Sequence, residues 1–363
     1  MSKPLLYTLH CGNLYGTERM ALATLEGLDE YERFVLAPPS PASPSLVEVA
    51  RTLRYGVRRV QTRAQLLWAL VPLFIRNRSI DVISTSVTHN VICMWLARLF
   101  FVRLRQLNVV HGGGEERYSY ANKHHLNRTR VRVVAVSEFV RGRLLAHGVA
   151  PEKIVVIQNF LSPSDLAGRP RRPPFNAALA NARPIDRSRV KVVVVSRVDP
   201  VKRLDVLLDA VATGRLTQFR FDVFGSGELL VPYQQRARAL GGAIEFHGYV
   251  PDVAERLSQA DLFLHLCPDE PFGLVVLEAF AADLPVIVPQ AGGVAELVQD
   301  GLSGVTYPAT NVMALVSRLL ETAGLDGRSL DALTRGGRIA LDSRYSVAAG
   351  VQAYRSALGQ ADR

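Results

Sequence analysis

The sequence predicts an α/β protein built from two Rossmann-like domains. Three observations carry this. The chain has 363 residues, too many for one ordinary core. Short runs of Val, Ile, Leu and Phe alternate with stretches of helical length, and several runs end in glycine-bearing loops, as parallel strands with crossover helices do. The pattern then restarts at Val190, after a stretch rich in Pro and Arg. We expect a first domain over 1–165, a linker and hinge over 166–189 and a second domain over 190–344, followed by a last helix within 345–363.

Hydrophobic residues make up 48% and charged residues 21% of the chain, the balance of a globular protein. Cys11, Cys93 and Cys267 are scattered with no CxxC spacing. That argues against a zinc cluster or a disulfide framework and suits a reducing cytoplasm. Only a short apolar run follows Lys3, so no secretory signal is expected, and no window reaches the roughly 18 apolar residues of a membrane span. The net charge is +10. Residues 1–165 hold 21 Lys and Arg against 12 Asp and Glu, whereas the remainder holds 22 against 21. The basic surplus of the first half points to an anionic partner there. No RNA- or DNA-binding motif accompanies it, so nucleic acid is not expected.

In the first half, 5–10 reads as a strand, 11–18 (CGNLYGTE) as a loop and 20–28 as a helix. These form the opening of a Rossmann-like unit, although GxGxxG is absent. Residues 34–37 and 81–84 are further strands. The polar loop 85–90 lies at a strand's carboxyl end, where ligands gather in open α/β sheets. Residues 66–75 and 91–105 are apolar and basic together, with Trp68, Phe74, Trp95, Phe100 and Phe101 beside Arg76, Arg78, Arg98, Arg103 and Arg105. They read first as two core helices with solvated arginine ends. The alternative is an aromatic and basic face lying on an anionic membrane. The strand 106–110 leads into His111-Gly112-Gly113-Gly114. Lipases use such a loop as an oxyanion hole, but no GxSxG elbow occurs, and the hydrolase reading fails on that. A strand over 133–137 precedes a helix over 138–147 that Ser137 caps and Gly148 ends, and 154–157 is another strand.

In the second half, the strand 190–195 runs into the loop SRVDPVKR. Arg197 and Lys202 put two cations at a strand's end, where an arginine fork and a lysine point charge suit a diphosphate. The strand 219–224 ends in Gly225-Ser226-Gly227, without the third glycine of a dinucleotide fingerprint. The strand 244–247 is followed by Gly248-Tyr249-Val250, and 252–259 is a helix. The strand 261–266 delivers Pro268, Asp269 and Glu270 to its carboxyl end. Pro271 favours a helix starting nearby, whose amide groups and dipole suit a phosphate or a polar sugar. Gly273 lets a ligand approach the backbone. A strand over 284–289, a Gly292-Gly293 turn and a second helix from about Val294 follow. Glu270 and Glu278 stand eight positions apart, about 12 Å of helical rise. A glycosidase pair spans roughly 5–9.5 Å. The two glutamates are therefore expected to grip different parts of one long ligand. Residues 311–320 and 330–341 are helices.

The runs EPFGLVVLEA, LPVIVP, GGVAELV and DGLSGVTY resemble the donor-binding segment of the family 4 retaining glycosyltransferases. Those enzymes have the GT-B fold, two facing Rossmann-like domains with a cleft between them and a C-terminal helix crossing back to the first. The resemblance covers essentially the whole chain, most strongly 190–307 and most weakly 34–101, where acceptor specificity would be written. It implies that Glu278 binds ribose hydroxyls and Glu270 sugar hydroxyls. It implies that Arg197 and Lys202 neutralise the leaving diphosphate, and that His111 faces the sugar and the acceptor. Gly16, in Gly16-Thr17-Glu18, keeps the family's first glycine at the donor loop, with Thr17 where the second stands. The resemblance further implies that Gly225 lies by the nucleotide and Tyr249 and Val250 against the base, with Phe272, Gly273 and Leu274 in the donor motif. Asp283 stands where the family often has glycine.

No DxD occurs, so no metal site and no cofactor beyond the donor substrate are expected. The sequence thus implies a retaining, metal-independent transferase. It would move a sugar from a nucleoside diphosphate sugar to a hydroxyl acceptor in glycan, glycolipid or secondary-metabolite synthesis. Its expected place is the cytoplasm or the inner face of a membrane. A GT-B sugar-nucleotide epimerase, marked by reaction without an acceptor, and a non-catalytic sugar-nucleotide-binding scaffold are the alternatives.

Overall fold

A computed structural model describes residues 2–40, 45–112 and 119–360. Gly113 and Gly114 of the His-Gly-Gly-Gly run lie outside the described residues. The chain divides into two compact units, residues 1–164 with 346–363, and residues 165–345.

The first unit is built on a parallel sheet. Its strands are β1 (Pro4–Thr8), β2 (Glu32–Ala37), β3 (Gly56–Arg59), β4 (Ser79–Ser84), β5 (Arg103–Val110), β6 (Arg132–Ala135) and β7 (Ile154–Val156). They run in the order β3-β2-β1-β4-β5-β6-β7. The order reverses between β1 and β4, where Leu6 pairs with Phe34 on one side and Val82 on the other. Leu6, Phe34 and Val82 join Leu66, Leu70, Phe74, Cys93 and Leu96 in one buried core. The last helix, Val347–Gln360, belongs to this unit and packs on the helix Gly16–Gly27. Gly27 is needed there because a Cβ would strike the Val351 side chain.

The two aromatic-basic stretches are divided differently from the sequence reading. The helix Arg63–Arg76 and the helix Val87–Phe100 each bury one face. The second ends where Phe101 takes a left-handed φ of 54°, and the chain enters β5 at Arg103. Arg105, expected as part of a helix with solvated arginines, instead lies opposite Asp81 in the sheet register. Its Nε and Nη2 donate to the Asp81 carboxylate at 2.8 and 2.5 Å. Lys3 is also ion-paired to that carboxylate, which is fully buried. A buried carboxylate needs such partners, and the strand's register supplies them. Outward from the core, Trp68, Trp95 and Phe101 are 81%, 71% and 92% exposed.

The second unit has a parallel sheet of β8 (Val190–Val195), β9 (Phe219–Phe224), β10 (Ile244–Gly248), β11 (Leu262–Leu264), β12 (Val286–Pro289) and β13 (Val305–Tyr307), in the order β10-β9-β8-β11-β12-β13. The β-branched run of β8 suits a strand covered on both faces, and Val192 and Val194 pack with Leu207, Phe221, Leu264, Ile287 and Leu319. Residues 166–189, expected as a linker, fall within this unit. Arg172 is buried, donating to Asp261 at 2.9 Å and to the carbonyls of Pro173, Arg183 and Ala260 at 2.7, 2.8 and 3.0 Å. The amides of Phe175 and Asn176 donate to Asp331 at 2.8 and 3.0 Å.

Candidate active site

In an open parallel sheet, the loops at the carboxyl ends of strands diverge where the strand order reverses, and the gap receives ligands. In the second unit that point lies between the paired strands β8 and β11. The loop after β8 carries Lys202 in the short turn Pro200–Lys202, whose start Asp199 caps by accepting from the Lys202 amide at 3.2 Å. The loop after β11 carries Glu270. Lys202 Nζ and Glu270 Oε2 lie 2.6 Å apart, and both side chains are largely buried.

His265 completes this group. It follows β11 directly and is 4% exposed. Its Nε2 stands 3.6 Å from the same Glu270 oxygen, just beyond hydrogen-bonding range. Its backbone is held by the Ile287 carbonyl at 2.8 Å and by the Tyr307 hydroxyl at 3.1 Å. Burial alone would raise the Glu270 carboxyl. The Lys202 ammonium and the His265 ring override it and hold that carboxyl well below the usual range. Burial likewise opposes the charge on Lys202, yet the Glu270 carboxylate lifts its pKa above the ordinary lysine value. Both groups are therefore ionised at neutral pH. Cys267, close by, is a buried thiol pushed up to about 11 by burial, so it is no nucleophile. The sequence reading missed His265; its one signal was a histidine at the end of the strand that delivers Glu270.

The other expected residues of this unit fall on the same edge of the sheet. Gly225 follows β9, and its amide donates to the Gly248 carbonyl at 2.7 Å, joining the loops after β9 and β10. With φ at 140°, and a Cβ that would overlap the Ser196 carbonyl oxygen, this position requires glycine. Tyr249 is exposed and Val250 half-buried just beyond β10. The Gly293 amide donates to the Glu270 carbonyl at 2.7 Å, which fixes that loop from the β12 side. The run expected to be a second helix from Val294 is a single tight turn, Gly293–Glu296.

The helix after Glu270 begins at Leu274 and runs to Ala281, later than Pro271 suggested. Gly273, at φ 100°, turns the chain into it, and no side chain caps its first turn. Phe272 is buried edge-on against Tyr345, with ring centroids 6.0 Å apart. Glu278 lies one turn along this helix, 3% exposed, with Oε2 3.9 Å from Arg169 Nη2. Arg169 was passed over as linker composition. Asp283 holds a left-handed φ of 54° that glycine would adopt freely. Its carboxylate accepts from Arg171 at 2.5 Å and Arg338 at 2.9 Å, so this departure from glycine has a local structural cause.

Arg197 is not drawn into the group. Its side chain is 61% exposed, and Nη2 lies 2.9 Å from Asp199 on the same loop. Gly16 and His111 belong to the first unit. Gly16 opens the helix Gly16–Gly27, and His111 follows β5 directly. Near Gly16, the Glu18 carboxyl is buried and raised to about 7 by that burial. Among the described residues, one trio brings metal-ligand atoms together, Asp222, Glu245 and His247, within 4.8 Å of one another. His247 already shares a 2.6 Å hydrogen bond with Asp222, and all three are solvent-accessible.

Comparison with known proteins places the chain in a family. The family described as glycosyltransferase family 4 matches residues 15–165, and that described as glycosyl transferases group 1 matches residues 177–328. The chain is 27% identical over 219 residues to the putative colanic acid biosynthesis glycosyltransferase WcaL of Salmonella typhimurium, covering 55% of this chain and 50% of that protein. It is 28% identical over 192 residues to the GPI3 subunit of the Saccharomyces cerevisiae phosphatidylinositol N-acetylglucosaminyltransferase, covering 51% of this chain and 41% of that protein. The chain thus spans half or less of the length of these curated relatives. The structure of Anabaena Alr3699/HepE in complex with UDP and glucose superposes with a TM-score of 0.77 at 18% identity, covering 98% of this chain and 99% of that one. That likeness establishes the GT-B fold. With both halves matched to its family models and the fold in common, the chain belongs to the family 4 glycosyltransferases.

Proposed function

We propose that the protein moves a hexose from a nucleoside diphosphate sugar to a hydroxyl acceptor, with retention at the anomeric carbon and without a metal ion. The observation that carries this is the ionised Lys202–Glu270 pair at the reversal point of the second sheet. When the anomeric C–O bond to the diphosphate breaks, negative charge grows on the departing phosphate oxygens. A fixed ammonium in a mostly dry setting stabilises that charge, and this is the larger part of such catalysis. Arg197, exposed and held only within its own loop, can exchange Asp199 for the diphosphate. Glu270 takes hydroxyls of the sugar and Glu278 those of the ribose, with Gly225, Tyr249, Val250, Phe272, Gly273 and Leu274 around the donor. His111 acts on the sugar and acceptor side, and Gly16 at the donor loop. Two cations then fill the charge-neutralising part that a divalent ion fills elsewhere. The UDP, glucose and UDP-glucose of the Anabaena complexes support a nucleotide-sugar donor.

Donor turnover is expected to continue at an undiminished rate in EDTA, and proton NMR of the product should show the donor's anomeric configuration. Turnover abolished by EDTA and restored by magnesium, or an inverted product, would contradict this reading.

The protein works, on this reading, in the cytoplasm with its first unit against the inner face of a membrane. No helix among the described residues is long and apolar enough to cross one. Exposed Trp68, Trp95, Leu99, Phe101 and Ile75 on and beside two neighbouring helices, with exposed Arg76, Arg78 and Arg98, support a peripheral contact with anionic lipid. Vesicles containing phosphatidylglycerol should co-sediment the protein at low salt. The Trp68→Ala/Trp95→Ala double variant should bind about tenfold more weakly. No co-sedimentation at low salt would remove the membrane from the account.

A further inference from the structure

The first unit has its own reversal point, between β1 and β4, and basic groups converge there. His10 lies two residues past β1, Thr85 one past β4 and His111 one past β5. His89 lies in the first turn of the helix Val87–Phe100. Thr85 links two of these groups. Its hydroxyl shares a 3.0 Å hydrogen bond with His10 Nδ1, and its carbonyl accepts from Lys123 Nζ at 2.9 Å. Lys123 is 5% exposed. An ammonium has three N–H donors, and among the described residues no carboxylate lies within ion-pairing distance of this one. His89 Nδ1 and His111 Nε2 are buried and, among the described residues, have no hydrogen-bond partner.

Left so, this arrangement is costly. A buried cation without a counter-ion is penalised by several kcal/mol in general, and polar ring nitrogens without partners add to the cost. Burial pushes the Lys123 ammonium down to about 8. It pushes His111 down to about 3, with His10 and Lys123 adding repulsion, and His89 to about 4, with His10 adding. The groups thus repel one another's protons. The helix Val87–Phe100 also directs its N-terminus here, with no acidic residue in its first turn and no side-chain cap. Its dipole favours an anion at the same place.

We propose that Lys123, His10, His89, His111 and Thr85 form an anion subsite that takes a phosphate ester. A phosphate monoester carries close to two negative charges and three acceptor oxygens, which match one ammonium, imidazole N–H groups and a hydroxyl converging from three strand ends. His10, exposed at the rim, marks the approach from solvent. The subsite deepens the transferase reading and rests on it in one respect: it makes the acceptor a phosphorylated hydroxyl compound, free or as a lipid headgroup. The binding itself stands or falls independently.

The test follows the histidine ring resonances by NMR while glycerol 3-phosphate, monomeric dihexanoyl phosphatidic acid or neutral glycerol is added. Saturable shifts of His10, His89 and His111 are expected with a phosphate ester and not with glycerol. Saturation by glycerol 3-phosphate assigns the subsite to a soluble ester, and saturation by the lipid alone assigns it to a headgroup. Lys123→Met should weaken binding by roughly tenfold or more. If that variant does not fold, His10→Ala, at an exposed position, should weaken it by roughly fivefold. No saturable shift with either ester, equal shifts with glycerol, or unchanged affinity in the folded variants would overturn the proposal. UDP binding, measured by calorimetry on the same samples, should be unchanged in Lys123→Met. Its absence from the wild-type protein would count against the donor reading and leave the phosphate subsite standing.

Discussion

Lys202→Ala should lower kcat/KM for sugar transfer by about 10²–10³-fold while leaving the protein folded. Lys202 is the mostly buried cation at the reversal point of the second sheet, and its side-chain partner among the described residues is Glu270 at 2.6 Å. On the proposed reading its loss would leave the departing diphosphate with Arg197, which the resting structure holds on the solvent side against Asp199. Glu270 loses the charge that holds its carboxyl low, and the His265 ring 3.6 Å away becomes its remaining basic neighbour. Glu270→Gln tests the other half of the pair. It keeps the shape and a hydrogen-bond acceptor for Lys202 but removes the negative charge proposed to receive sugar hydroxyls. A similar loss of kcat/KM is expected, with nucleoside diphosphate affinity largely kept. The two variants therefore differ in where the loss appears, in both turnover and diphosphate binding for the lysine and in turnover alone for the glutamate. Steady-state kinetics beside thermal melts followed by circular dichroism separate these from unfolding. Normal turnover in either folded variant would end the assignment.

Arg172→Ala should cost the second unit about 3–5 kcal/mol of stability. This guanidinium is buried and donates to Asp261 and to three backbone carbonyls, and its centre stands 3.2 Å from the centroid of the Phe175 ring. Truncation would leave the carboxylate of Asp261, 7% exposed, with the Lys191 amide at 3.0 Å as its remaining close donor. Arg172→Lys should recover little, because one ammonium cannot reproduce a planar fork that reaches four acceptors. Urea unfolding followed by fluorescence measures the loss. A change below about 1 kcal/mol, the size of an exposed ion pair, would show that the stretch is not built into the unit.

Parallel strands were legible because they are buried on both faces and read as near-continuous apolar runs; β8 and β11 are of this kind. The loops that hold Lys202, Glu270 and Gly225 were legible through charge and glycine at strand ends. What the sequence hid was mostly pairing across distance. Arg105 looked like a solvated helix end because its partner Asp81 is 24 positions away. Arg172 looked like linker composition because its partners Asp261 and Ala260 come from far along the chain. His265 gave no charge pattern at all, and only the proximity of the β8 and β11 loops shows that it faces Glu270. The start of the helix at Leu274 was misplaced because Pro271 is a common first-turn residue, whereas the left-handed φ of Gly273 decides where helical geometry begins.

The central claim is that the second unit holds a nucleoside diphosphate on Lys202 without a metal. Isothermal titration of the protein in EDTA with UDP, GDP, ADP and TDP tests it most directly. The account predicts saturable binding of at least one of them, weakened by roughly tenfold or more in Lys202→Ala. Absence of binding by all four, or equal affinity in the folded variant, would contradict it.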